Sequence, residues 1–262
     1  MLVFVGLGLN GLKDITISGI KWIKRGDVIY LDSYSSLIPN LLISELEKIA
    51  GKKIILSKRE DLEDNAHFLI TEAKHKKVIL LVPGDPFVAT THMQLRLLAI
   101  NAGVKTKIVH SVSIVSAITG ETGLFSYKFG RIVTITFPEK DKLCETPYEV
   151  LKDNLSRGLH TLFLLEIDVE KGKFMTIPQA ITILKQINER KEEKIILDNL
   201  LGIGCARIGS KNQKIIANYL NKLSKENFGA PPYSLIITGK LHFIEAEALV
   251  KIAKAPPNIL RG

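Results

Sequence analysis

The sequence predicts two α/β domains: an N-terminal one with a mostly parallel sheet and flanking helices, and a C-terminal one with a mixed sheet, with a cofactor cleft between them. Three observations predict this. Short apolar runs alternate with helix-length amphipathic stretches through the first hundred residues, and strands spaced in that way need crossover connections, hence a parallel sheet. Later strands are spaced more widely and less regularly, with period-two β-branching at Thr134-Ile135-Thr136. Between the two textures lies a Ser, Thr and Gly-rich stretch, His110-Ser111-Val112-Ser113-Ile114 to Thr119-Gly120-Glu121-Thr122-Gly123. The junction is expected there, giving domains 1–110 and 111–262.

The elements follow in order. Leu2–Val5 reads as a strand stopped by glycine. Ile17, Ile20 and Ile23 or Trp22 share one face of a helix over Asp14–Lys24. Val28–Leu31 is the next strand, and a helix over Leu41–Ile49 ends at Gly51. Lys53–Leu56 is a strand. Ser57-Lys58-Arg59-Glu60 fits a capping box that opens a helix running to about Lys74. Val78–Val82 is a continuous buried strand broken by Pro83-Gly84, with a helix over Val88–Asn101 and a strand over Lys105–Val109. In the second half, strands are expected at Ile132–Phe137, Thr161–Ile167, Leu201–Arg207 and Ser234–Thr238. Helices are expected at Tyr148–Arg157, Pro178–Arg190 and Phe243–Ala253.

Composition narrows the function classes. Hydrophobic residues make up 46% of the 262 and charged residues 24%, enough apolar material for a substantial core. The formal charge of +9 favours acidic partners, although lysines that keep a stable protein soluble are the commoner source of such a charge. Cys144 and Cys205 are the two cysteines, far apart and without nearby His, which argues against a disulfide scaffold or a zinc site and for a reducing, cytoplasmic setting. No apolar run reaches the ~18 residues of a membrane span. A membrane or direct nucleic-acid role is not expected.

Five segments carry candidate chemistry. Gly6-Leu7-Gly8-Leu9-Asn10-Gly11 matches the dinucleotide fingerprint, with Asp32 where a ribose-binding acid would lie. Yet the following helix starts late, so a phosphate would miss its N-terminus. Val82-Pro83-Gly84-Asp85-Pro86 is a stiff turn at the end of a parallel strand, where ligands bind in open α/β sheets. Asp85, expected on an exposed turn, serves either a ligand or a helix cap. Ser111–Ser116 either lines a cleft or caps a helix. In Gly202-Ile203-Gly204-Cys205-Ala206-Arg207, the glycines admit either a ligand or a packed backbone, and Arg207 could bind an acid. Gly239-Lys240-Leu241-His242 with Glu245 and Glu247 sets a histidine before a helix, next to carboxylates.

The order of these motifs is more specific than any one of them. Val5-Gly6-Leu7-Gly8-Leu9, Pro-Gly-Asp-Pro with Ala89-Thr90-Thr91-His92, His110 with Ser113-Ile114, Tyr127-Lys128-Phe129-Gly130, Arg157-Gly158-Leu159-His160-Thr161, Ala206-Arg207 with Gly209-Ser210, Phe228-Gly229 with Pro231-Pro232, and Gly239-Lys240-Leu241-His242 with Glu245-Ala246-Glu247 together resemble the diphthine synthase family. These are methyltransferases of diphthamide biosynthesis within the tetrapyrrole-methylase-like group, and the compact length is similar to the archaeal form. The resemblance implies S-adenosylmethionine as methyl donor, S-adenosylhomocysteine as product, and a homodimer. It implies as substrate translation elongation factor 2, whose aminocarboxypropyl-modified histidine is repeatedly N-methylated to diphthine. The positions that match the family's cofactor contacts are Leu9, Asp85, Val88, Ser113, Ile114, Leu165, Ala206 and His242. Thr238 stands where the family usually has proline, and Ile118-Thr119-Gly120-Glu121 departs from the usual run. Competing expectations are a corrin or rRNA methyltransferase of the same group, an NAD-dependent dehydrogenase resting on residues 6–11 and Asp32, and a non-catalytic translation-associated binding protein.

Overall fold

The computed structural model describes residues 1–39, 41–140, 142–169 and 171–261. The chain divides into two compact units, Met1–Ile114 with Asp168–Gly172, and Val115–Ile167 with Lys173–Gly262.

The first unit carries a wholly parallel sheet of five strands, β1 (Leu2–Gly6), β2 (Val28–Asp32), β3 (Ile55–Ser57), β4 (Val78–Val82) and β5 (Thr106–Val109), in the order β3-β2-β4-β1-β5. Its helices are α1 (Ile17–Arg25), α2 (Ile43–Ala50), α3 (Arg59–Leu62), α4 (His67–His75) and α5 (His92–Asn101). Alternation along a strand sends side chains to opposite faces. Leu2 and Phe4 pack with Val78, Leu80, Leu69 and Leu95 on one face. Val3 and Val5 pack with Ile79, Leu81, Ile23 and Leu46 on the other. This is why β1 and β4 read as unbroken apolar runs: both of their faces are covered.

Three helix expectations are corrected. The helix expected to run from the Ser57 capping box to Lys74 is two helices. Asn65 N turns back to Glu60 O at 2.7 Å and closes the first, and Asp61, not Ser57, caps it through Lys58 N at 2.8 Å. Ser57 finishes β3 instead, and its Oγ is buried without a partner. The helix expected from Val88 begins at His92, because Ala89 sits at φ 56°, which no right-handed helix contains. Helix α1 begins at Ile17 behind its cap Thr16, whose Oγ1 accepts from Gly19 N at 3.0 Å. Gly11–Asp14 is a separate 3₁₀ turn.

The second unit holds α6 (Ile114–Thr122) from Val115 onward, β6 (Val133–Ile135), α7 (Thr146–Ser156), β7 (Thr161–Leu165), α8 (Ile177–Glu189), β10 (Leu201–Ala206), β11 (Lys214–Tyr219), α9 (Leu220–Leu223), β12 (Tyr233–Ile237) and α10 (Phe243–Ala253). Ile167–Asp168 (β8) and Lys173–Phe174 (β9) form a two-stranded sheet of their own. The main sheet runs β11-β10-β12-β7-β6, antiparallel except for the β6–β7 pair, and is therefore mixed. Helix α8 starts where Thr176 and Gln179 cap reciprocally, and it sends Ile177, Ile181 and Leu184 into the core with Phe163, Leu235 and Ile237. The glycines of β10 serve packing. A Cβ on Gly204 would stand 2.2 Å from the Phe228 ring, and one on Gly202 would stand 2.8 Å from Leu220. Strand β11 is absent from the sequence reading, since as an edge strand it is only partly covered and shows no period-two pattern.

No helix among the described residues is long and apolar enough to cross a membrane.

Candidate functional site

The topology of the first sheet marks its own crevice. From β1 the chain leaves toward β2 through α1, on the face that holds Ile23; from β4 it leaves toward β5 through α5, on the face that holds Leu95. Neighbouring strands whose connections depart on opposite faces open a crevice at their carboxyl ends, and ligands bind there in open α/β sheets. The loops at this place are Leu7-Gly8-Leu9 and Pro83-Gly84-Asp85.

These loops are bonded to each other. Leu7 N donates to Val82 O at 2.9 Å, Gly8 N to Gly84 O at 3.2 Å, and Gly84 N to Gly8 O at 2.9 Å. Such closeness requires glycine. A Cβ on Gly6 would lie 2.7 Å from Gly84 O and 2.8 Å from Ser111 Cβ. Gly84 differs: at φ 69° its missing Cβ would meet nothing within 4 Å, so open space lies over the turn.

Carboxylates fasten the rest. Asp14 Oδ2 accepts from Leu9 N at 3.0 Å and Asn10 N at 2.9 Å. Asp85 is not on an exposed turn; it is 8% exposed. Its Oδ1 accepts from Phe87 N at 3.1 Å, and its Oδ2 faces His110 Nδ1 at 2.8 Å and accepts from Ser111 N at 3.2 Å. The proline-flanked turn places this carboxylate against the strand that follows, so it ties the ends of β4 and β5 together. Asp32 is likewise occupied. Buried at the end of β2, it accepts from Tyr34 N, Ser35 N, Ser35 Oγ and His92 Nε2, the last at 3.0 Å. Burial alone would push its carboxyl up, but these donors hold it below the usual carboxylate range. With both oxygens filled it has no lone pair for a ribose hydroxyl, and the glycine loop has no helix N-terminus behind it for a phosphate. The dinucleotide reading fails on both counts.

Five of the expected contact residues gather at these strand ends: Leu9 after β1, Asp85 and Val88 after β4, and Ser113 and Ile114 after β5. In the second unit Leu165 ends β7 and Ala206 ends β10, on the same sheet end, flanking Tyr233 of β12. His242 follows β12 and lies beyond the opposite end, where Thr161 pairs with Ile237, roughly 15 Å away by strand rise. Arg207 holds its own loop through two of its three nitrogens: Nε donates to Asn212 O at 3.0 Å, and Nη1 donates to Phe228 O at 2.8 Å and to Ala230 O.

Around His242 the structure shows a constellation absent from the sequence reading. Glu245, wholly buried, accepts from Phe125 N at 2.8 Å and His160 Nε2 at 3.1 Å on one oxygen. Its other oxygen accepts from Lys128 Nζ and His242 N, both at 2.8 Å. Gly239 N donates to His160 Nδ1 at 3.0 Å, which fixes the proton of a neutral imidazole on Nε2. His242 caps α10, its Nδ1 accepting from Ile244 N at 3.3 Å. One carboxylate thus joins the Tyr127-Lys128-Phe129-Gly130, Leu159-His160 and Gly239–His242 motifs. Such a hub leaves no linear pattern, although the His242-x-x-Glu245 spacing is a capping signal.

The hub predicts a pH dependence. Burial pushes the His160 imidazole below the usual histidine range, against the opposing Glu245 bond and with the Lys128 charge adding to the lowering. Below about pH 6.5 the unfolded chain therefore binds more protons at this site, and stability falls as pH drops. Burial raises the Glu245 carboxyl, but the four donors outweigh it and hold the group low; its contribution is lost as pH falls through that lowered value, in the same direction. The urea midpoint should decline between about pH 7 and pH 5.5, and His160→Gln should flatten that slope. A level or rising midpoint would contradict the assignment.

The profile of the tetrapyrrole (corrin/porphyrin) methylases matches residues 1–224. The chain belongs to this family. It is a methyltransferase, and it is similar over its full length to proteins named diphthine synthase. That of Methanosarcina barkeri is 41% identical over 266 residues, covering 100% of this chain and 99% of that one. That of Staphylothermus marinus is 41% identical, covering 100% and 97%. A crystal structure of diphthine synthase superposes with a TM-score of 0.90 at 38% identity, covering 99% of this chain and 98% of the other. The parallel sheet and the mixed sheet described above are thus the family's own architecture.

Proposed function

We propose that this chain transfers methyl groups repeatedly from S-adenosylmethionine to the amine of the aminocarboxypropyl-modified histidine of translation elongation factor 2, as the full-length likeness to diphthine synthases implies. The observation that carries the reading is the switch-point crevice: a ligand site built from closely bonded glycine loops, open over Gly84, with no phosphate cradle. The lack of a helix N-terminus behind the glycine loop and the filled Asp32 carboxylate favour a nucleoside without phosphate over a dinucleotide. The proposed contacts are Leu9, Asp85, Val88, Ser113 and Ile114, at the strand ends of the first unit.

Bound there, S-adenosylmethionine supplies an electrophilic methyl carbon and leaves as S-adenosylhomocysteine. The chain's part is to bind and orient. Gly8 and Gly84 are bonded to each other, Leu7 N to Val82 O and Leu9 N to Asp14, so the wall these loops form is rigid before a ligand arrives, and positioning of this kind supplies much of the acceleration of a bimolecular transfer. A peptide α-amino group titrates at about 7.7–8.0; the amine here sits beside a carboxylate that raises this value, so the neutral form that attacks the methyl carbon is a minor fraction at physiological pH. His242, with Nδ1 committed to its helix cap, offers Nε2–H as a donor. A homodimer and a cytoplasmic setting accompany the reading; sedimentation at the 29.1 kDa monomer mass would remove the first.

Titration calorimetry tests the cofactor. Heat of binding with S-adenosylmethionine and none with NAD is the expected pattern. The reverse would restore the dehydrogenase reading.

A further inference from the structure

The segment Pro83–His92 leaves β4 at the crevice and returns to the fold at α5. It is fastened at both ends by a carboxylate–imidazole pair, and the two pairs lie on different strands. At its start Asp85 meets His110 after β5. At its finish His92, 1% exposed, meets Asp32 at the end of β2 through Nε2 and Oδ2 at 3.0 Å. Beside that second pair, Thr91 Oγ1 donates to Glu63 Oε1 at 2.8 Å, and Tyr34 OH donates to the same oxygen at 3.3 Å. Between the anchors the loop has few bonds, chiefly Val88 N to Asp85 O at 3.2 Å and Thr90 Oγ1 to Pro86 O at 2.6 Å. It also carries Ala89 at φ 56°, a left-handed conformation that an alanine leaves unless its surroundings hold it there.

We propose that Asp32 and His92 are a positioning pair for methyl-donor binding: they hold the far end of the Pro83–His92 loop so that its strained middle keeps the shape that faces the crevice. The inference rests on the reading of the crevice as the methyl-donor site. Neither residue touches the ligand. A loop released at His92 relaxes at Ala89, the competent fraction falls, and apparent affinity falls in proportion. Asp32 is suited to the task because three donors from Tyr34 and Ser35 already fix its own turn, so the imidazole is tied to a rigid acceptor.

The test is calorimetric affinity for S-adenosylmethionine, combined with steady-state methylation of modified elongation factor 2, in His92→Leu and His92→Gln. Leucine fills similar space without a donor; glutamine returns an N–H close to the position of Nε2. His92→Leu should weaken binding at least tenfold and raise KM for the donor alike, while kcat at saturating donor stays within about twofold. His92→Gln should recover most of the affinity. A folded His92→Leu protein with wild-type affinity overturns the inference, as does equal impairment in the leucine and glutamine variants. Should His92→Leu fail to fold, Asp32→Asn carries the comparison: it keeps an oxygen for the backbone donors, and binding should weaken at least threefold, an unchanged value being contrary. Wild-type protein that takes up no S-adenosylmethionine would instead sink the crevice reading itself.

Discussion

Glu245→Ala should destabilise the second unit by about 3–5 kcal/mol, the range for removing one partner from a buried ionic group. Four donors converge on this carboxylate. Its loss strands a buried imidazole N–H and two backbone N–H groups, each of which then bears its own desolvation, and it leaves the Lys128 ammonium with Lys240 O but no counter-charge. His160 has no way to adapt, because Gly239 N occupies its Nδ1 and keeps the proton on Nε2. Glu245→Gln should fare little better, since its amide must aim a donor at one of the two donor pairs. In thermal unfolding the transition of this unit should drop by on the order of 10 °C. A shift within a degree or two would show that the hub is not what holds residues 239–242 to the sheet.

Gly8→Ala should have the largest effect on ligand binding. Gly8 sits at φ 72°, and an added Cβ would stand 2.3 Å from Asp14 Cβ. The backbone strain alone costs about 1–2 kcal/mol. The collision cannot relax locally, because Asp14 is pinned by Leu9 N and Asn10 N. The loop must move, and the mutual Gly8–Gly84 bonds break. Affinity for S-adenosylmethionine should fall at least tenfold. Gly51→Ala is the control: it has the similar φ of 67° with nothing near its Cβ, at the end of α2. It should lose stability by about 1 kcal/mol while affinity holds. Equal binding by both variants would separate the glycine loop from the ligand.

The parallel sheet was legible because β1 and β4 are covered on both faces and therefore read as Leu2–Val5 and Val78–Val82, unbroken apolar runs. That the helix after Gly6–Gly11 starts late was legible too, since Leu12-Lys13-Asp14 delays the amphipathic pattern and the structure shows a 3₁₀ turn there, although the helix begins at Ile17 and not at the expected Asp14. What escaped the sequence reading was long-range pairing. Asp32 and His92 are 60 positions apart, and His160 and Glu245 are 85 apart; no linear spacing announces either. Ala89 has a side chain with no preference for a left-handed turn, so the late start of α5 left no composition signal. The same blindness made Asp85 look exposed, because His110 and Ser111, brought in after β5, claim its carboxylate.

The most direct measurement is mass spectrometry of elongation factor 2 carrying the aminocarboxypropyl-modified histidine, incubated with this chain and S-adenosylmethionine. The predicted result is growth of the peptide containing that histidine in steps of one methyl group, with S-adenosylhomocysteine formed in equal number. An unchanged peptide mass, with S-adenosylmethionine demonstrably bound to the chain, would contradict the proposed function.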